Sequence, residues 1–355
     1  MVTDQRTARS GSLAKAVVDT PRILKKLLSF RTICLVPAIL YLILLFGYPA
    51  VFNVKLGFEQ EDGAQFILHS PVFNGLANYR QLIHDTVFLH ALANTAIFGV
   101  VTVSLQFVLG FGIALLLNNT SRFYTVLRSA LLVPWLLPLI VTGNVWIWML
   151  DGFYGVVNYI LVNLHIISHS IAWLSSPTWS LWGVIVANTW LGIPFNVMII
   201  HAGLRAIPDT LYEAAAIDGA GRFRRVTAIT LPLLRDVVGV LLLLGVVYSL
   251  KLFDVVWVMT KGGPANSSQV LGTLEYQDTC TSNEYGYGAA IANVMLVLSC
   301  AFAVLYVYLS RRRQLRETSG TAGGRRRKTG GAPPHEGIGK ARPQLTESSE
   351  VDIHA

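Results

Sequence analysis

Charge is what this chain has least of. Asp, Glu, Lys and Arg make up 14% of its 355 residues, whereas a soluble domain carries about a quarter. Cysteine is scarcer still, with three residues: Cys34 and Cys300 inside apolar runs and Cys280 in a polar loop. That placement excludes both a disulfide framework and the close Cys/His spacing of a zinc site. No G-x-x-x-x-G-K-[ST] phosphate loop is present, so the chain is not expected to hydrolyse ATP by itself. The eight histidines (69, 84, 90, 165, 169, 201, 335 and 354) fall in loops, in tails or at the ends of apolar runs. No Ser/His or His/Glu set with catalytic spacing lies inside a run, which argues against an intramembrane enzyme.

What is abundant is apolar surface. Hydrophobic residues are 53% of the chain, and they gather in runs of about 20, long enough to cross a hydrocarbon core of roughly 30 Å. The pattern predicts an all-α polytopic membrane protein with six spans, near 33–53, 88–117, 129–150, 179–203, 235–259 and 288–310. Pro37, Pro49, Pro134, Pro138 and Pro194 sit within or at the ends of these runs, where neighbouring helices can satisfy the freed carbonyls. The segment 156–164 is too short to span and reads as an interfacial helix.

Lys and Arg fix the orientation. They crowd the N-terminal tail, the loop holding Arg122 and Arg128, the loop holding Arg205, Arg222, Arg224, Arg225 and Arg235, and the start of the C-terminal tail at Arg311–Arg313. The opposite loops hold only Lys55, Arg80 and Lys261. Both termini are therefore expected in the cytoplasm. The net charge of +8 lies beside the spans, which suits anionic lipid headgroups and not nucleic acid. The first run is expected to be an uncleaved anchor, because its polar leader is long and no small-x-small site follows. Three regions result: a cytoplasmic tail over 1–32, a six-span domain over 33–310, and a C-terminal tail over 311–355 expected to be disordered.

One polar stretch, about 204–234, interrupts the apolar pattern on the cytoplasmic side. Pro208 breaks the chain, and Thr210-Leu-Tyr-Glu213 fits a capping box with Thr210 as N-cap. Ala214, Ala215 and Ala216 favour helix. Asp218-Gly219 suits a left-handed stop, and a second short helix is expected from Gly221 through Arg222, Arg224 and Arg225. On local physics alone this is a capped helix with positive-inside anchors. Its small residues also let another protein approach the backbone closely.

The residues Glu213-Ala214-Ala215-x-x-Asp218-Gly219-Ala220, followed by Ile229-x-Leu231-Pro232, resemble the EAA loop of ATP-binding-cassette importer permeases. Further pieces resemble the carbohydrate-importer, maltose-type branch: Asn94-Thr95, Pro134-Trp135, Trp190-x-x-x-Pro194-Phe195, Ala202-Gly203-Leu204-x-x-Ile207-Pro208, Phe253-Asp254 and Thr260-Lys-Gly-Gly-Pro264. The likeness covers about 30–310, and the long C-terminal tail departs from it. The resemblance implies that the loop is a coupling helix held by a cytoplasmic ATPase subunit, with Glu213, Ala214, Ala215, Asp218, Gly219 and Ala220 as its motif positions. It implies a second permease subunit, an extracytoplasmic solute-binding protein and ATP-Mg on the ATPase, with no cofactor on this chain. The exterior loops 54–87 and 260–287 would meet the binding protein.

The polar groups inside the spans are mostly amides and hydroxyls: Asn94, Gln106, Asn144, Asn188, Asn196, Tyr248 and Asn293. They suit a neutral polyhydroxylated solute better than glycerol phosphate, which would call for more cations. Trp146, Trp148 and Trp190 are either sugar-stacking rings or interfacial aromatics. Lys251 and Asp254, i and i+3 on the expected fifth span, either pair with each other or line a pathway. The candidate pathway residues are therefore Asn188, Tyr248, Lys251 and Asp254. A gradient-driven transporter using Lys251 and Asp254 as a relay is the alternative. Against it, the sequence shows no inverted repeat with broken helices.

Overall fold

The structure is a computed structural model that describes residues 30–68, 70–118 and 122–328. The expectations for residues 1–29 and 329–355 lie outside the described residues. Helix α1 (Phe30–Leu42) runs through a π turn (Ile43–Gly47) into α2 (Tyr48–Leu56). An exterior segment follows: β1 (Glu59–Gln60), α3 (Gly63–Leu68), β2 (Val72–Phe73) and α4 (Ala77–His84). The two strands pair antiparallel, Glu59 opposite Phe73. Helix α5 (Thr86–Leu116) comes next, then α6 (Arg122–Leu131), α7 (Val133–Leu136), α8 (Leu139–Met149), α9 (Val156–Asn163) and α10 (Ser180–Arg205). The cytoplasmic stretch forms α11 (Asp209–Ile217), α12 (Arg222–Arg225) and a π turn (Val226–Thr230), leading into α13 (Leu231–Leu250). The chain ends with α14 (Asp254–Met259), α15 (Leu271–Tyr276), a π turn (Gln277–Thr281) and α16 (Tyr285–Lys328).

Five helices among the described residues are long and apolar enough to span, and they number six if a bent pair counts as one span. The expected third span, 129–150, falls on the bent pair: Tyr124–Leu136 and Leu139–Met149 meet at 97°. Proline explains the corner. Pro138 removes a donor and pushes Leu137 out of the helical region, to ψ 138°. The expected fifth span also divides. It stops at Leu250, and the chain resumes as helix only at Asp254. Helix α16 continues to Lys328. No proline falls between Tyr285 and Lys328 to stop it. Internal contacts divide the chain into a unit ending at Val304 and a second beginning at Leu305.

Helix α5 is the spine of the first unit. Phe98 joins a cluster with Leu150, Val184, Ile185, Val255 and Val256. Phe88 and Ala91 join Leu271, Leu274 and Ile291. Ala114 joins Val197, Ile200, Leu204 and Leu234. At about 1.5 Å per residue the helix is roughly 46 Å long, so it reaches clusters at three depths. Helices α5 and α10 approach closely because their contact uses small residues, the usual device where no water drives helices together. A Cβ on Gly110 would lie 2.7 Å from the Cβ of Asn196 and 3.5 Å from the backbone of Asn196 and Val197. By contrast, the span Leu35–Leu56 buries nothing in this chain. Its polar tie is Asn53 Nδ2, which donates to Asn293 Oδ1 at 3.0 Å.

On the exterior side, carboxylates from three segments converge. Asp85 caps α5 by accepting from the Val87 amide, and its other oxygen accepts from the Tyr287 hydroxyl at 2.6 Å. Asp278 Oδ2 is buried with no hydrogen-bond partner. Burial, then the charges of Glu284, Asp85 and Glu275, push the Asp278 carboxyl up to about 6. Burial also raises Glu275, against a hydrogen bond from Thr279.

Two outcomes follow from this packing. Gly110→Val should destabilise the fold by about 1–3 kcal/mol through overpacking, read as a lower thermal midpoint in detergent. Gly112→Val, whose Cβ meets nothing within 4 Å, should stay near wild type. The second outcome concerns pH. Asp278 titrates near 3.8 when unfolded and near 6 when folded. The folded state therefore binds more protons across that window, and stability falls as pH rises through it. Thermal midpoints taken from pH 4 to 7 should show that fall, and Asp278→Asn should shrink it.

Candidate functional sites

The cytoplasmic hairpin is built by a helix stop. Helix α11 begins at Asp209 with Pro208 as its N-cap and no side-chain cap bond. The expected capping box is therefore absent: Thr210 lies inside the first turn, because Pro208 already supplies the extended residue that opens the helix. The expected stop is present. Gly219 takes φ +75°, its amide bonds Ala216 O at 3.1 Å, and the Ala220 amide bonds Ala215 O at 2.8 Å. These two bonds are the Schellman pair, and the left-handed residue at its centre favours glycine.

One contact braces the hairpin internally, and another ties it to the residue that caps α13. Arg225 Nε donates to Ala220 O at 2.8 Å, which locks the turn to α12. The Tyr212 hydroxyl lies 3.0 Å from Thr230 Oγ1, and Tyr212 packs against the Leu204–Leu234 cluster. The opposite surface is bare. Glu213, Ala214, Asp218 and Gly219 are exposed, with Ala215 and Ala220 half-buried. Ile217 is 88% exposed and Phe223 83% exposed, which is unusual for large apolar side chains beside a polar turn. Sequence reasoning had not singled out these two residues.

A cavity of about 410 Å³ gathers all four candidate pathway residues, Asn188, Tyr248, Lys251 and Asp254. That lies within the range of small-molecule sites. Thr102 and Gln106 come from α5, Asn188, Phe195 and Asn196 from α10, and Tyr248 from α13. The bend contributes Trp135, Leu137 and Leu139. Lys251, Phe253 and Asp254 come from the break after α13. Gln106 Nε2 donates to Asn188 O at 2.9 Å, tying two walls together. The Trp135 and Phe195 rings stack at 6.1 Å and 29°. The buried Thr102 hydroxyl has no partner among the described residues.

Lys251 and Asp254 do not share a helix face as expected. Lys251 is the C-cap of α13, and Asp254 opens α14 after Phe253 at φ −134°, ψ −59°. The break fits where it does because Gly272 lacks a side chain: a Cβ there would sit 2.5 Å from the Leu252 carbonyl. Both charged residues are exposed, and neither has an ion-pair partner among the described residues. No group of three or more metal-ligating side chains occurs among the described residues.

The other in-span polar groups divide by role. Gln106 and Asn196 line the cavity. Asn94 instead donates to Ser267 O and Gln269 O, at 3.1 and 2.9 Å. Thr95 accepts from the Leu271 amide at 2.9 Å, so this pair staples the exterior loop to α5. Asn293 ties α16 to α2 and to Tyr79, and Asn144 bonds its own helix at Ile140 O. The three singled-out tryptophans do not line the cavity: Trp146 is buried edge-on against Trp190, and Trp148 is 80% exposed. The lining aromatics are Trp135, Phe195 and Phe253, for which the sequence signal was a place in family-like motifs.

Comparison with known proteins agrees with this architecture. Residues 106–315 match the family of binding-protein-dependent transport system inner membrane components. The chain is 36% identical over 249 residues to the trehalose/maltose transport system permease protein MalF of Thermococcus litoralis, covering 70% of this chain and 83% of that one. It is 35% identical over 277 residues to the sulfoquinovosyl glycerol transport system permease protein SmoG of Agrobacterium fabrum, covering 78% and 89%. Its fold resembles a crystal structure of a bacterial ABC transporter involved in the import of the acidic polysaccharide alginate, with TM-score 0.70 and 21% identity over 82% of this chain and 99% of that one. The chain belongs to the binding-protein-dependent inner membrane components, the transmembrane permease subunits of ATP-binding-cassette transporters.

Proposed function

We propose that this chain is the permease subunit of an ATP-driven importer that carries a neutral mono- or oligosaccharide by alternating access. The cavity lining carries the reading. Side-chain amides from Gln106, Asn188 and Asn196, hydroxyls from Thr102 and Tyr248, and the Trp135 and Phe195 rings face one space. Such a mixture hydrogen-bonds hydroxyl groups and covers apolar sugar faces. One cation and one anion, Lys251 and Asp254, leave the lining without net charge, which favours neutral solutes over phosphorylated ones. The names of the trehalose/maltose and sulfoquinovosyl glycerol relatives point to polyhydroxylated cargo as well.

The remaining parts of the machine lie on other chains. A cytoplasmic ATPase, loaded with ATP-Mg, receives the hairpin through Glu213, Ala214, Ala215, Asp218, Gly219 and Ala220. Exposed Ile217 and Phe223 supply apolar contact there. A second permease subunit completes the pathway, and an extracytoplasmic solute-binding protein delivers cargo. The hairpin follows α10 and precedes α13, so movement of the hairpin would act directly on two helices that line the cavity.

Reconstitution with these partners tests the reading. ATP-dependent sugar uptake into proteoliposomes is expected, and uptake that needs only an ion gradient would overturn it. Gly219→Val places a β-branched residue at φ +75°, a conformation that costs roughly 1–2 kcal/mol for a side chain. It should cut coupled uptake at least tenfold, whereas Gly219→Asn should retain most of it. Lys251→Gln should change neutral-sugar uptake by less than about fivefold. A loss of a hundredfold or more would overturn the reading that amides, hydroxyls and rings carry the recognition.

A further inference from the structure

We propose that the exterior loop 152–179, between α8 and α10, is a membrane-surface anchor that lies in the headgroup–acyl boundary of the outer leaflet. Two independent observations point to lipid. The first is composition: no Asp, Glu, Lys or Arg occurs between Asp151 and Arg205. For the spanning part that is ordinary. For an exterior loop bathed in water, about a quarter of residues would be charged.

The second is inverted burial. Of the two asparagines of α9, Asn163 lies exposed at its end and donates to Tyr159 O, and Asn158 points inward, 2% exposed. It is fully satisfied, donating to Asp151 O and Ile171 O and accepting from the Ile171 amide and Trp173 Nε1, all within 3.1 Å. The outward stripe is apolar, with Val156, Tyr159 and Ile160 spaced as one helix face. Tyr159 is 70% exposed, and Phe153 and Tyr154 just before the helix are 92% and 94% exposed. These two aromatics are held in place, since Asp151 Oδ1 accepts from both of their amides at 2.8 Å. After α9, His165 at φ 57° turns the chain so that Ile166 also faces out, 64% exposed.

Connectivity places this surface at the right depth. The loop leaves α8, the second half of the bent pair, and enters α10, a helix long and apolar enough to span. A fixed helix with an apolar outer stripe and flanking aromatic rings matches interfacial segments, whose rings favour the headgroup level. Asn158 meets its polar requirements inside the loop, which leaves the stripe of Val156, Tyr159 and Ile160 apolar apart from the Tyr159 hydroxyl.

The test uses the full chain in its assembled transporter, reconstituted in phosphatidylethanolamine/phosphatidylglycerol liposomes. The native cysteines are replaced by serine, and a nitroxide is placed at Tyr154→Cys, Tyr159→Cys or, as the aqueous reference, Asn283→Cys. The ratio of collision rates with oxygen and with a water-soluble nickel chelate should be at least about fivefold higher at 154 and 159 than at 283. Equal ratios would mean that the loop stands in water and would overturn the proposal. An immobilised label reached by neither quencher would also overturn it, because a protein partner then covers the face. If the cysteine variants fail to assemble, a lipid bearing a photoreactive group near the headgroup can be applied to the wild-type transporter. Adducts on 153–166 support the anchor, and adducts confined to the spans overturn it.

Discussion

Backbone polar groups inside hydrocarbon must find partners in protein or in water, and that constraint organises this molecule. Most of the chain meets it with helix. Where helix fails at membrane depth, the freed groups are tolerated only against protein or a cavity. The two interruptions among the crossings obey this rule. The corner at Leu137–Pro138 and the break at Lys251–Phe253 both border the same 410 Å³ cavity. The interruptions and the polar cavity are thus two sides of one arrangement: irregular backbone makes room, and the room makes irregular backbone acceptable.

Helix α5 gives that arrangement a fixed frame. It enters all three apolar clusters, and its Gly110 admits the backbone of α10 at close range. Its exterior end is pinned by Asn94 and Thr95 to the loop before α15. The cytoplasmic hairpin hangs between α10 and α13, the other two walls, and is gripped on its inner side by Tyr212, with Arg225 bracing its turn. On the proposed reading, a force on the bare outer side passes to the cavity through α12, the π turn and α13, which follow one another without a break, while residues 206–208 join the hairpin to α10.

Local rules were legible where a residue's own chemistry settles its conformation. Gly219 takes the left-handed turn that its place after an alanine run suggested, and the crossings at 86–116 and 180–205 fall close to the apolar runs. Local rules failed where neighbours compete. Thr210 and Glu213 have capping chemistry, but Pro208 starts the helix earlier. Lys251 and Asp254 have pairing spacing for a helix, but the chain is not helical between them because Leu252 packs onto Gly272. Trp146 and Trp190 look like sugar platforms, yet they pack on each other, and the ring that reaches the cavity is Trp135.

The sequence by itself determined a membrane-spanning all-α chain, the expected side of its polar hairpin, the left-handed stop at Gly219 and the amide-and-hydroxyl character of groups that meet in the cavity. Each of these depends on composition, charge asymmetry or local backbone preference, which a linear chain carries in full. Only the tertiary structure decided which amides face the cavity and which staple helices. It also decided where the expected third and fifth spans break, and that α9 turns Asn158 inward and Tyr159 out. Those outcomes depend on what residues far apart in sequence offer one another: a carbonyl, a missing Cβ, a ring face.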